Sequence, residues 1–261
     1  MTDAGPAFDA QAYERLRISG MGQVRDAAVL LRDIVRGISG LNVTATHDIA
    51  SSRPMCDADD EVLASTVFRA AGADRWWLRR QLALRSPLVA ACRIMAEPFW
   101  CNAKGIYTHG REQILSSLDL RDFEERARAK VAIAVPVHLP FGQVGAASLL
   151  ADDPACDDLQ EPFDRCIDIV AIYIRRFITS YVAVAQRPSP LIGSALLSRR
   201  EVECLRWAAA GKTNDEIGTI VGLSRATVRF HIRNAAQKLD AVNRDQTVFK
   251  ATQLAYIAVS S

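Results

Sequence analysis

No run in the 261 residues approaches the ~20 consecutive apolar side chains a helix needs to cross a bilayer. The opening stretch, Met1 to Phe8, is polar and lacks a signal-peptide core; the expected compartment is a bacterial cytoplasm. Cysteine is sparse and scattered: six residues, at 56, 92, 101, 156, 166 and 204, with no Cys-x-x-Cys pair. The four histidines, at 47, 109, 138 and 231, are equally dispersed. That pattern argues against zinc and predicts reduced, mostly buried thiols. Redox sensing by Cys92 and Cys101 is the alternative use. Gly-rich phosphate loops, nucleophile elbows and metal-ligand spacings are missing too, which excludes the common enzyme classes and leaves no cofactor implied. A phosphorylated receiver would need acids at early strand ends. Asp57, Asp59 and Asp60 instead lie in a loop leading to a helix, and the chain opens with helices.

One more absence points somewhere. Between Ser224 and Leu239 there is no acidic residue, against four basic ones: Arg225, Arg229, Arg233 and Lys238. From Ser194 onward the chain has ten Lys/Arg and six Asp/Glu, a net +4, whereas the remainder is −2 (22 basic, 24 acidic). A positive module on a neutral-to-negative body suits contact with phosphates. At 49% hydrophobic and 24% charged the chain is globular, and its length suits one large and one small domain.

The basic segment sits inside a chain of local helix signals. Ser198 with Glu201, and Thr213 with Glu216, each form the spacing of a capping box. Gly211 ends the first helix, since a left-handed terminal residue is cheapest without a Cβ. Gly222 ends the second, and Ser224 is a good N-cap for the third. Three short helices with brief turns are the grammar of a helix-turn-helix. On the third helix Val228, Ile232, Ala235 and Leu239 share a stripe that should pack on Val202, Leu205, Ile217 and Val221. Ala226, Arg229, Phe230 and Arg233 face away. Arg229 and Arg233, one turn apart, can both reach guanine edges or phosphates in one groove, and Phe230 can touch thymine methyls. A solvated basic face on an ordinary three-helix domain is the bland alternative.

This segment closely resembles the DNA-binding domain of LuxR-type transcription regulators. The family pattern is met at Glu201, Leu205, Gly211, Lys212, Thr213, Glu216, Ile217, Leu223, Ser224, Thr227, Val228, His231, Lys238 and Leu239. The resemblance covers about a quarter of the chain. It implies a fourth helix, from about Asp245 to Val259, that dimerises on DNA. Base reading is expected from Arg229, Phe230 and Arg233. Phosphate contact is expected from Lys212, Thr213, Ser224, Arg225 and Thr227, because helix N-termini and hydroxyls suit phosphates. Asn234 and Lys238 complete the expected DNA-binding set, and His231 reads as a packing residue.

Upstream, Gln186 to Gly193 contains two prolines and reads as an extended linker. Before it, helical and strand signals alternate. Tyr13–Leu16, Val24–Ile38, Asp60–Ala71, Asp74–Leu84 and Asp119–Ala129 read as helices. Leu41–Ile49 reads as a strand, and Lys130–Leu139 with Val144–Leu150 as a hairpin around Pro140-Phe-Gly-Gln. Asp157–Val184 reads as one long helix with apolar residues on more than one side, buried in its own domain by default, with a second face for dimer contact as an addition. The composite is a mixed α/β domain with helices packed on a sheet. Trp76, Trp77, Phe99 and Trp100 concentrate its aromatics, as core or as pocket walls.

The same domain is similar, more loosely, to the autoinducer-binding domain of LuxR-type quorum-sensing receptors. That pattern has a Tyr nine residues before Asp-Pro, a Trp about fifteen after the Asp, and a Gly-x-Thr-x-Pro strand. Here Trp77 lies nine residues before Ser86-Pro87, Trp100 fourteen after Ser86, and Ala132-Ile-Ala-Val-Pro136 stands for the strand. The resemblance thus implies a ligand site of Trp76, Trp77, Ser86, Trp100 and Ala132, with the Trp100 indole meeting a lactone carbonyl. The departures have chemical weight. Ser86 replaces the Asp that accepts the ligand amide, Trp77 replaces a Tyr donor, Ala132 replaces Gly, and Ala73 stands where the family's first tryptophan would be. Exchanging a charge-assisted bond for a neutral one costs about 1.5–3 kcal/mol, or roughly 10–100-fold in affinity.

The resulting expectation is an α+β protein: an N-terminal α/β/α sandwich with a mostly antiparallel sheet, and a C-terminal all-α helix-turn-helix domain. Boundaries fall at 1–186, 187–194 (linker) and 195–261. The expected function is sequence-specific regulation of transcription by a homodimer on a pseudo-palindromic duplex. RNA polymerase is a further candidate partner, and no membrane is expected. Modulation comes from a small molecule, an acyl-homoserine lactone or another ligand. The alternatives are ligand-independent regulation and a heterodimer partner or antagonist of a related receptor.

Overall fold

A computed structural model describes residues 6–51, 53–69, 85–109, 118–185 and 196–258. The chain divides into two compact units, one of residues 1–139 and 143–187, the other of 188–261 together with 140–142.

The first unit is built on a five-stranded antiparallel sheet: β1 (Asn42–Thr46), β2 (Phe99–Asn102), β3 (Gly105–Tyr107), β4 (Val131–His138) and β5 (Val144–Leu150), in the order β1-β5-β4-β2-β3. Because strand side chains alternate between faces, β4 has two characters. Val131, Ile133, Val135 and Val137 join one core cluster, and Ala132 and Ala134 join another. The bulky face is covered by α2 (Val24–Ser39) and the 26-residue α6 (Gln160–Ala185). The alanine face is covered by α4 (Pro87–Ile94) and α5 (Phe123–Ala127). Helices on both sides of an antiparallel sheet make an α/β/α sandwich. The helix α6 packs so closely that a Cβ on Gly145 would lie 2.7 Å from Ile178 and 3.1 Å from the Thr46 carbonyl.

The strand at 41–49, the hairpin at 130–150 and the helices at 24–38 and 157–184 form where their patterns predict, with ends moved by a few residues. Two predicted helices are cut short. Of Asp60–Ala71, the described part contains only α3 (Leu63–Thr66), between left-handed Asp60 (φ 60°) and Arg69 (φ 49°). Asp119–Ala129 contracts to α5 between left-handed Asp122 and Arg128 (φ 53° and 59°). Strands β2 and β3 and helix α4 were not expected. Asp74–Leu84 lies outside the described residues. The first helix, α1 (Ala10–Arg15), starts at an Asp9 cap and so leads the predicted Tyr13–Leu16 by one turn.

The second unit is all helical: α7 (Arg199–Ala209), α8 (Asn214–Val221), α9 (Arg225–Lys238) and α10 (Arg244–Gln253). The predicted last helix runs on to Val259, but α10 stops at a Leu254 cap, with Ala255 left-handed (φ 57°) and the Tyr256 amide donating back to Ala251. No helix among the described residues is long and apolar enough to cross a membrane.

Candidate nucleic-acid interface

Each helix of the second unit begins where a side chain can satisfy its free amides. Ser198 Oγ accepts the Glu201 amide at 3.3 Å while Glu201 Oε2 accepts the Ser198 amide at 2.7 Å. Thr213 and Glu216 repeat the exchange at 3.3 and 2.8 Å. Ser224 Oγ accepts the Thr227 amide at 3.1 Å and hydrogen-bonds the Thr227 hydroxyl at 2.8 Å. Gly211 (φ 80°) and Gly222 (φ 70°) supply the two left-handed turns. The turn between α8 and α9 is tight: a Cβ on Gly218 would sit 2.6 Å from the Leu223 carbonyl.

Helix α9 is held along one flank. Val228 and Ile232 pack with Cys204, Ala208 and Ile217; Ala235 and Leu239 pack with Leu205, Ala251 and Ile257. The other flank is open. Arg225, Ala226, Arg229, Phe230 and Arg233 are all exposed, and Phe230 keeps 59% of its surface accessible. Among the described residues Arg229 and Arg233 enter no ion pair, whereas Arg225 lies 3.2 Å from Asp215. His231 is half-buried, with its ring 5.7 Å from that of Phe230. Thr227 and Asn234 are half-buried at the margin of the open flank. Lys212 and Thr213 lie at the start of α8, Lys212 only loosely tethered, 3.9 Å from Glu216.

Lys238, a member of the expected DNA-binding set, is engaged within the unit itself. Its Nζ donates to both oxygens of Glu201, at 3.0 and 2.8 Å. The Glu201 side chain is only 4% exposed. Burial alone would raise its pKa, but the Lys238 ammonium and the Ser198 amide outweigh burial and hold it below the ordinary value. The ion pair therefore ties the first turn of α7 to the last turn of α9. Sequence reading also missed two cations of α10. Arg244 donates from Nη1 to Asn214 Oδ1 at 2.8 Å and from Nη2 to the Lys212 carbonyl. Lys250 donates to the carbonyls of Leu239 (3.1 Å) and Asp240 at the end of α9. One signal was available: Arg244 opens α10, where a cation opposes the helix dipole and needs a specific partner.

Of the five residues expected to line a ligand site, the described ones do not all share one face of the sheet. Trp76 and Trp77 lie outside the described residues. Ser86 precedes α4, is fully buried, and among the described residues its Oγ has no hydrogen-bond partner. Ala132 is buried on the alanine face beneath α4 and α5. Trp100 is on the other face. It pairs with Ile133, while its neighbour Cys101 pairs with Ala132. Its indole stacks on Tyr107, with ring centroids 4.1 Å apart. There it walls an open pocket of ≈ 380 Å³ with Asn102, Lys104, Asp157 and Asp164. The physical reason is parity: a one-residue change of register sends a strand side chain to the opposite face. Cys101, fifteen residues after Ser86, is the residue that shares the alanine face with Ala132. Both Cys92 and Cys101 are buried on that face, where desolvation pushes Cys92 up to about 12 and Cys101 higher still. Such thiols stay protonated and poorly nucleophilic, which counts against the redox alternative.

Comparison with known proteins bears on this geometry. Residues 195–251 match the family model described as bacterial regulatory proteins, luxR family. The transcriptional activator protein VanR of Vibrio anguillarum is 34% identical over 161 residues, 60% of this chain and 62% of VanR. The quorum sensing-dependent transcriptional regulator RpaR of Rhodopseudomonas palustris is 38% identical over 123 residues, 47% of each chain. This chain thus spans less than two thirds of the length of either relative. The activator PhzR of Pseudomonas fluorescens is 29% identical over 207 residues, 78% of this chain and 80% of PhzR. Among solved structures, Escherichia coli SdiA aligns over 95% of this chain and 96% of its own, with 16% identity and a TM-score of 0.48.

Proposed function

We propose that this chain, whose residues 195–251 are a luxR-family helix-turn-helix domain, is a sequence-specific regulator of transcription that binds a pseudo-palindromic duplex as a homodimer. The observation that carries the proposal is the open flank of α9. Two unpaired guanidinium groups bracket an exposed phenyl ring on a helix whose other flank is packed. An exposed aromatic between two arginines is poorly suited to bulk water and well suited to a major groove, where Arg meets guanine O6 and N7 and Phe meets the thymine methyl. Lys212, Thr213, Ser224, Arg225 and Thr227 contact phosphates around it. Asn234 borders the same flank. The relatives' names, all transcriptional regulators, point the same way.

The test is binding of the full chain to a duplex selected from a random library and to an unselected duplex. Arg229→Ala weakens the selected duplex by about 1–3 kcal/mol and relaxes the preferred base at its contact. Equal loss on both duplexes would sink base reading by Arg229.

The expected N-terminal domain, residues 1–186, acts as a dimerisation domain modulated by a small molecule other than an ordinary acyl-homoserine lactone. A neutral Ser86 hydroxyl without a partner among the described residues and the turn of Trp100 away from the alanine face both support this. Position 86 offers no carboxylate for an amide N–H, and the position-100 indole does not face the alanine side where it could meet a lactone carbonyl. A thermal-shift series of acyl-homoserine lactones against other neutral amphiphiles tests it. A lactone that raises the melting temperature more than any other compound would overturn this part of the proposal.

A further inference from the structure

Helix α10 turns two of its cations inward, onto backbone carbonyls of the elements that present the DNA-facing residues. Lys250 closes the end of the recognition helix. Arg244 reaches the segment before α8, where its planar fork joins the carbonyl of Lys212 to the side chain of Asn214. That segment follows Gly211, whose backbone is left-handed (φ 80°) and which carries no side chain to anchor it. The Lys212 side chain has only the 3.9 Å approach to Glu216. The Lys212 amide donates to the Trp207 carbonyl at 3.0 Å, so one end of this peptide is held by α7 and the other by Arg244.

We infer that Arg244 is a positioning residue for nucleic-acid binding: it fixes the Lys212 backbone so that the Lys212 ammonium meets a DNA phosphate. The inference rests on the proposal that this unit binds DNA. A lysine at position 244 could not replace the fork, because an ammonium is a point donor without the planar geometry that spans two acceptors. The inward clamp also means that the helix carrying exposed Phe249 (60% accessible) and the helix start carrying Lys212 share one guanidinium.

The experiment measures full-length protein on a random-sequence duplex by fluorescence anisotropy across a potassium chloride series, at a temperature where each variant's melting curve shows it folded. Lys212→Ala lowers the slope of log K against log salt by about 0.9 per protomer, the value of one lost phosphate contact. Arg244→Gln lowers it by the same amount, the double variant by no more, and Arg244→Lys behaves like Arg244→Gln. A wild-type slope in Arg244→Gln would reduce Arg244 to a purely structural group and overturn the inference. So would losses that add in the double variant, or a slope restored by Arg244→Lys, since both mark a direct phosphate contact. Should Arg244→Gln not fold, Asn214→Ala with Arg244→Lys carries the same test. Wild-type protein that binds no duplex at all overturns the DNA reading itself, before any variant is compared.

Discussion

Glu201 is a carboxylate almost cut off from water that nevertheless stays ionised, because a helix amide and an ammonium both face it. Removing the ammonium leaves the charge buried with the amide as its main partner, so Lys238→Met should cost about 1–3 kcal/mol at neutral pH. The pH dependence follows from the direction of the shift. A folded pKa below the ordinary 4.5 means the contribution of Glu201 is complete above that value and disappears as pH falls through the folded one. Urea unfolding of wild type and Lys238→Met should therefore show a gap that narrows in acid. A gap independent of pH would refute the ion-pair account. Lys238 is also a lesson in legibility. Its charge and its place in the family pattern were visible in the sequence; its partner, 37 residues away, was not.

Elements show where local signals suffice. The caps at Ser198, Thr213 and Ser224 and the stops at Gly211 and Gly222 involve residues within a few positions of each other, so the spacing alone predicted them. Gly218 had a reason that only packing supplies. Its Cβ would collide with the Leu223 carbonyl, which is backbone and cannot swing aside. Gly218→Ala should destabilise the second unit by about 1–3 kcal/mol, read as a lower melting temperature. An unchanged melting curve would mean the turn can open at no cost. Strands β2 and β3 escaped sequence reading because they are only four and three residues long, too short for alternation to stand out. The same shortness hid the parity of Trp100. A spacing of fourteen instead of fifteen looks like a small departure on paper. In a pleated strand it moves an indole through the sheet.

For the molecule as a whole, each unit has a core of its own. The first has two clusters, one on either face of its sheet, and the second has two of its own among α7 to α10. Residues 196–258 expressed alone should therefore give a helical circular-dichroism spectrum and a cooperative melt. A spectrum without helix would mean that this core depends on the rest of the chain. If residues 1–186 supply the dimer, as proposed, this fragment should also bind a selected duplex more weakly than the full chain and with a halved salt slope, because each protomer contributes its own phosphate contacts.

The amino-acid order by itself determined where α7, α8 and α9 begin, which flank of α9 is basic, and that a sheet precedes them. Caps, left-handed glycines and apolar periodicity act over a turn or two of chain, and such short-range terms survive in any context. Tertiary structure alone decided three other things: that Trp100 and Ala132 stand on opposite faces, that Lys238 answers a buried acid, and that Arg244 holds the backbone of Lys212. Each depends on which distant segments come to lie side by side. Strand register and burial of charge set that juxtaposition, and no local propensity encodes it.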